Sequence, residues 1–319
     1  MEAFIIMLKN VIVFVALAIP GYVLVKTKLL KSEQSTVLST LLTYVGMPFL
    51  VFSNTLGLSF TPDTVVSLLT AALVAVACIV VLFFVTGVLT KKEKNVQTKG
   101  MMRFSSMFSN NAFLGLPLAI AVFGAQSKAV SLLIVFNIIT NVFMFTLGIY
   151  LVSGDKNAIN LKKVLLNPSL LGFFLGIAFN LLGVKNYVPE ISTYGTYMSN
   201  LVTPVSMTIL GMKMGGVHLP SLFTSKQTYY VSLLRLIVFP VFIVAILLAL
   251  KTVFPNGPID EALLLACFIV CATPTPSSSS AFADQFGGDA ENAVAFTLST
   301  TIFSVATIPF LYFLLCLFL

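Results

Sequence analysis

"SNNAFLGLPLAIAVFG", residues 109–124, interrupts a chain otherwise suited to hydrocarbon. Two adjacent amides, Asn110 and Asn111, precede Gly115 and Pro117 inside an apolar run. Proline cannot donate a backbone hydrogen bond and clashes with the turn before it. Glycine permits an unwound backbone. Inside a bilayer no water is available to the amides and carbonyls freed in this way. The stretch therefore predicts a membrane helix broken near Asn110 to Pro117. Its polar side chains either satisfy the loosened backbone or pass the freed groups to a ligand.

The rest of the chain fixes the solvent. Of 319 residues, 58% are hydrophobic and 9% charged, and the mean hydropathy is +1.03. A soluble domain carries about 25% charged residues, so the chain reads as an all-α polytopic membrane protein. Apolar runs near the length needed to cross, about 20 residues, fall at roughly 4–25, 34–53, 64–90, 100–123, 128–152, 164–183, 193–212, 227–250, 260–283 and 290–318. Lys9 precedes the first run, but no small-residue cleavage site follows, and Pro20-Gly21 points to a kinked, retained span.

Lysines and arginines give direction. The first loop holds Lys26, Lys28 and Lys31, and the third holds Lys91, Lys92, Lys94 and Lys99, with Arg103 at the entry to span four. The fifth holds Lys156, Lys162 and Lys163, and the seventh Lys213 and Lys226. Even loops offer Lys128, Lys185 and Lys251. Odd loops are expected in the cytoplasm by the positive-inside rule, with both termini outside the cell membrane. The net charge of +7 follows from these loops and is not a nucleic-acid signature.

The halves echo each other. Pro48 in span two and Pro204 in span seven lie 156 residues apart, and Phe123-Gly124 and Phe286-Gly287 lie 163 apart. Five spans per half is an odd number, so the second copy inserts upside down. The expected organisation is a first five-helix repeat at 1–153, a cytoplasmic linker at 154–163 and a second, inverted repeat at 164–319. Inverted repeats with discontinuous helices at matching positions are a transporter pattern, with the substrate near mid-membrane. Span nine carries the matching break at "TPTPSSSS", Thr273 to Ser280.

At such a crossing, half-helix N-termini present free amides and partial positive charge, which favours an anion. The candidate site comprises Asn110, Asn111, Gly115 and Pro117 from span four, and Thr273, Pro274, Thr275, Pro276 and Ser277 from span nine. Asn137 and Asn141, four apart on span five, either bond between helices or face the site. The expected site has no fixed charge. Arg235 in span eight reads either as a counter-charge for substrate or as a side chain snorkelling to the headgroups. Cys267 and Cys271 read as packed thiols, and no metal or cofactor is expected. An enzyme is disfavoured: the single His218 lies in a loop, and no acid pair or nucleophile with a base lies in the spans. A sensor without transport is a further alternative.

The Asn-x-x-x-x-Gly-x-Pro pattern of Asn110, Gly115 and Pro117 resembles the auxin efflux carrier family. "ATPTPSSSSAFADQFGGDAENA" resembles that family's second crossover, with Pro274 in the proline position. The resemblance implies the bile-acid/sodium symporter-like fold, with spans four and nine crossing. Spans one, two, six and seven would form a scaffold and homodimer contact. Spans three to five and eight to ten would form an elevator-type transport domain. The implied substrates are small organic anions such as carboxylates, malate-like or auxin-like. A sodium-coupled organic-anion symporter is the alternative, and proton or sodium coupling stays open. The run Ser277–Ser280 departs from the pattern by replacing bulkier residues with serine.

Overall fold

The computed structural model describes residues 2–58, 61–155, 157, 159, 166–216, 225–255 and 257–319. His218 and the linker lysines Lys156, Lys162 and Lys163 lie outside the described residues. Helix starts are set by short polar side chains. Thr61, Asn95, Ser127, Asn167, Asp260 and Asp289 each accept a hydrogen bond from a backbone N–H of the first turn. This satisfies donors that a helix leaves unpaired.

The helices are α1 (Glu2–Lys26), α2 (Ser32–Leu56), α3 (Pro62–Leu89), α4 (Val96–Met107), α5 (Leu116–Phe123), α6 (Lys128–Ser153) and α7 (Pro168–Leu181). They continue as α8 (Glu190–Ser199), α9 (Val202–Gly215), α10 (Lys226–Val253), α11 (Glu261–Ala272), α12 (Ser279–Phe286) and α13 (Ala290–Cys316). The described residues contain no strand. Among the described residues, six stretches are long and apolar enough to cross a membrane: α2, α3, Val96–Phe123, α6, α10 and α13. The sequence reading expects ten. Of the other four, Ala16–Lys26 within α1, α7 and α11 are shorter apolar helices, and the seventh expected span is divided between α8 and α9.

Three helices widen into a single π turn just before a proline. Leu42–Gly46 precedes Pro48, Asn111–Gly115 precedes Pro117, and Leu234–Val238 precedes Pro240. The proline ring displaces the carbonyl four residues back and leaves it without a donor, and a π turn absorbs the misfit.

Two glycine seams fix the packing. A Cβ on Gly21 or Gly211 would strike backbone of the other helix, so α1 and α9 lie backbone to backbone. Gly172 and Gly176, one turn apart on α7, meet the backbone of α2 at Pro48 and Phe52 in the same way. Small residues at this spacing permit van der Waals contact that larger ones would prevent. One core joins Leu132, Leu133 and Phe136 of α6 to Leu264, Cys267 and Ile269 of α11. A second is aromatic: Phe104 of α4 packs 5.1 Å from the Phe282 ring of α12. Outward, α3 exposes Val66, Leu69, Leu73, Phe84 and Val88, a face with no polar group to offer water and suited to acyl chains.

Several residues assigned to loops in the sequence reading lie in helices. Lys213 does not lie in the seventh loop. It sits in the last turn of α9, half-buried. Lys26, Lys99, Lys128, Lys226 and Lys251 likewise lie within α1, α4, α6 and α10. These helices run past the apolar segment, because a long polar side chain at a helix end reaches a polar environment without ending the helix.

Candidate functional site

The two interrupted segments have the same plan. α4 and α11 are each 12 residues long, and α5 and α12 are each 8. α4 stops where Phe108 turns extended, with ψ 148°, and α11 stops where Thr273 does, with ψ 149°. α5 and α12 both end at a glycine with positive φ, Gly124 (86°) and Gly287 (74°), a region that side chains with a Cβ rarely enter.

The breaks meet. The Asn110 N–H donates to the Pro274 carbonyl at 2.7 Å. The Thr275 hydroxyl donates to the Ser105 carbonyl at 2.9 Å. A Cβ on Gly115 would come within 3.4 Å of the Ile269 and Thr273 side chains, so α11 packs closely over the π turn.

Several freed backbone groups of the second break find protein partners. The Thr275 N–H donates to the Thr300 hydroxyl at 3.1 Å. The Pro276 carbonyl accepts from Ser279 at 2.6 Å and from Thr297 at 3.3 Å. The Ser277 carbonyl accepts from Lys213 Nζ at 2.5 Å. Arg235, 1% exposed, donates from Nε to the Thr273 carbonyl at 2.9 Å and from Nη2 to the Val270 carbonyl at 2.6 Å. Its Nη1 reaches the Ser106 carbonyl at 3.4 Å. The guanidinium therefore serves the C-terminal ends of both α11 and α4, where carbonyls carry partial negative charge. Arg235 neither snorkels nor lines the cavity. Its cation is held by carbonyls, as a planar group with five donors allows.

The first break is less complete. Asn111 is 3% exposed and its Nδ2 has no hydrogen-bond partner among the described residues. The Asn110 side chain caps no helix. Both line a cavity of about 1240 Å³, together with Asn141, Pro276 and Ser277. Gly115, Pro117, Thr273, Pro274, Thr275 and Asn137 lie behind that wall and do not line it. Asn137 is fully buried and accepts from Asn141 Nδ2 at 3.3 Å, so the pair bonds along its own helix. Apolar walls come from Met47, Phe113, Phe145 and Phe282.

The expectation of a site without fixed charge requires correction. Lys213 lines the same cavity, and Arg235 lies directly behind it. Two half-helices end at the crossing, and their exposed carbonyls call for cations. Thr297 and Thr300 of α13 were also not among the sequence candidates. Their only signal was the threonine run Thr297, Thr300, Thr301 in an apolar helix. For Lys213 the signal was its place inside "ILGMKMGG", within an apolar run instead of beyond one.

Residues 5–312 match a family model described as membrane transport protein. The chain belongs to the auxin efflux carrier family. This family member is thus a membrane-embedded, multi-pass transporter, and the broken helices belong to a transport protein. It is 27% identical over 214 residues to an uncharacterized transporter of Methanocaldococcus jannaschii, covering 64% of this chain and 68% of the relative. It is 26% identical over 213 residues to an uncharacterized transporter of Methanothermobacter thermautotrophicus, covering 64% of this chain and 67% of the relative.

Proposed function

We propose that this transporter carries small organic anions, carboxylates above all, by binding them at the crossing of its two broken segments. The observation that carries the reading is the contact of Asn110 with Pro274 beside a cavity into which Asn110, Asn111 and Ser277 look. The π turn that leads into α5 and the residues that open α12 border that cavity, and the N-terminal amides of such segments favour negative charge. The amides of Asn110 and Asn111 add neutral donors.

The equal lengths of the paired half-helices support two inverted repeats of five spans, 1–153 and 164–319, joined by the linker at 154–163. So does the cross-pairing of helices: the first of one half lies on the second of the other, α1 on α9 and α7 on α2. In this reading α1, α2 and α7–α9 are the scaffold through which two copies associate, and the remaining helices move as an elevator. Ser32 and Asn167 line the cavity and adjoin the loops rich in lysine, which supports an opening toward the cytoplasm with both termini on the far side.

Labelled-anion counterflow in proteoliposomes, with and without a sodium gradient and at two pH values, tests this. Exchange that disappears in Asn110→Ala is the expected result. Exchange at unaltered affinity in that variant refutes the site. Binding without any exchange would make the protein a sensor.

A further inference from the structure

Lys213 stands apart from the other cations of the described residues. Like Arg235 it lies outside the crossing segments and reaches a carbonyl within them, that of Ser277, but unlike Arg235 it lines the cavity. An ammonium has three donors, and that carbonyl takes one. Among the described residues the ion pair present is Lys128–Asp260, on the opposite side of the crossing, and no carboxylate pairs with Lys213. Glu33 and Asp284 also line the cavity, but both are solvent-exposed and neither is bonded to Lys213. The helix bearing Lys213 packs against the π turn Asn111–Gly115. That turn supplies the second unfilled donor, Nδ2 of the 3% exposed Asn111. The same cavity is thus lined by a cation without a counter-ion and by a buried amide without an acceptor.

We infer that Lys213 and Asn111 are the pair that reads a carboxylate, with Lys213 the residue that selects an anion over a neutral solute of the same shape. The inference rests on the anion-carrier reading above and deepens it. A carboxylate accepts through two oxygens, and here one meets Nζ and the other Nδ2. The half-helix termini and Asn110 favour negative charge diffusely, whereas the ammonium supplies a charge-assisted bond of about twice the neutral strength. A neutral analogue keeps the Asn110 and Asn111 contacts and loses that one.

The test is thermal stabilisation of the purified full chain by potassium malate, succinate, benzoate and indoleacetate, each beside its uncharged amide. Binding to the folded state raises the melting temperature by mass action. Lys213→Gln is expected to weaken the best carboxylate about ten- to a hundredfold, with the amides unaffected. Lys213→Arg, which keeps the charge, should stay within about threefold. Asn111→Asp retains Lys213 and places a carboxylate beside it, and should weaken the anion at least about tenfold. It carries the test should Lys213→Gln not fold. Carboxylates stabilising the wild type and either Lys213→Gln or Asn111→Asp equally would overturn this inference alone. A wild type stabilised by none of the carboxylates would overturn it together with the carrier reading.

Discussion

The two breaks are built alike and used differently. In the second, from Thr273 to Ser278, Arg235, Thr300, Thr297 and Lys213 take up the loosened backbone groups. In the first, from Phe108 to Gly115, the Asn110 N–H is tied down, but Asn110 and Asn111 line the cavity and the buried Asn111 Nδ2 has no partner among the described residues. An unpaired buried polar group is expensive, and on the proposed reading its retention at Asn111 marks the first break as the wall that meets a solute. The symmetrical helix plan makes the crossing, and the asymmetrical hydrogen bonding gives it a frame and a binding wall.

The strongest way to break this comparison is to remove the frame. Arg235→Met leaves the Thr273 carbonyl without its donor and the Val270 carbonyl with the Thr273 hydroxyl alone, and roughly 2–4 kcal/mol of stability should go, about one to three for the orphaned group and about one for the other lost bond. Thermal melting in detergent, followed by size-exclusion profile, reads the loss. Arg235→Lys should recover only part of it, because one ammonium lacks the planar reach to carbonyls of two helices. Next in size, Asn110→Ala tests the wall. Anion affinity should fall about tenfold in the thermal-shift titration while the ligand-free melting changes by less than about 1 kcal/mol. A large loss of stability instead would make Asn110 part of the frame.

Thr275→Val sharpens the distinction from the other side. It deletes the hydroxyl bond to the Ser105 carbonyl, so about 1–2 kcal/mol of stability should be lost with anion affinity retained. Weakened binding with unchanged melting would place Thr275 on the wall.

The smallest effect concerns the outer tie between the two arms, where Asp289, the cap of α13, accepts from Thr98 of α4 at 2.6 Å. Burial pushes the Asp289 carboxyl up, but hydrogen bonds from Thr98 and Asn292 outweigh it and hold the group below its ordinary value. A depressed carboxyl contributes stability that is present above the unfolded-state pKa, about 3.9, and lost as pH falls through the folded value. Asp289→Asn should cost about 0.3–1 kcal/mol near neutral pH and flatten the acid limb of a melting-temperature-against-pH curve. An unchanged acid limb would mean that Thr98 and Asp289 do not hold the arms together.

Much of the crossing was legible in residue order. Pro274 and Pro276 marked where α11 stops, since a missing N–H is a property of the residue itself, whereas Pro117 sits in the first turn of α5 and α4 stops earlier, at Met107. Phe123-Gly124 and Phe286-Gly287 marked where the second pieces end. The membrane solvent and the transporter class were legible too, from hydropathy and from the motif around Asn110. The roles of Arg235 and Lys213 were not. As lone cations in or beside apolar runs they matched snorkelling and loop patterns equally well, and their acceptors lie 38 and 64 residues away in sequence.

The sequence by itself determined that the backbone must open at two places in a membrane, because proline and glycine act through local covalent geometry. Only the tertiary structure decided which opened groups are filled and which are left for a solute. Hydrogen-bond partners are chosen by what packing brings within about 3 Å, and around this crossing they arrive on α4, α9, α10 and α13, from both ends of the chain.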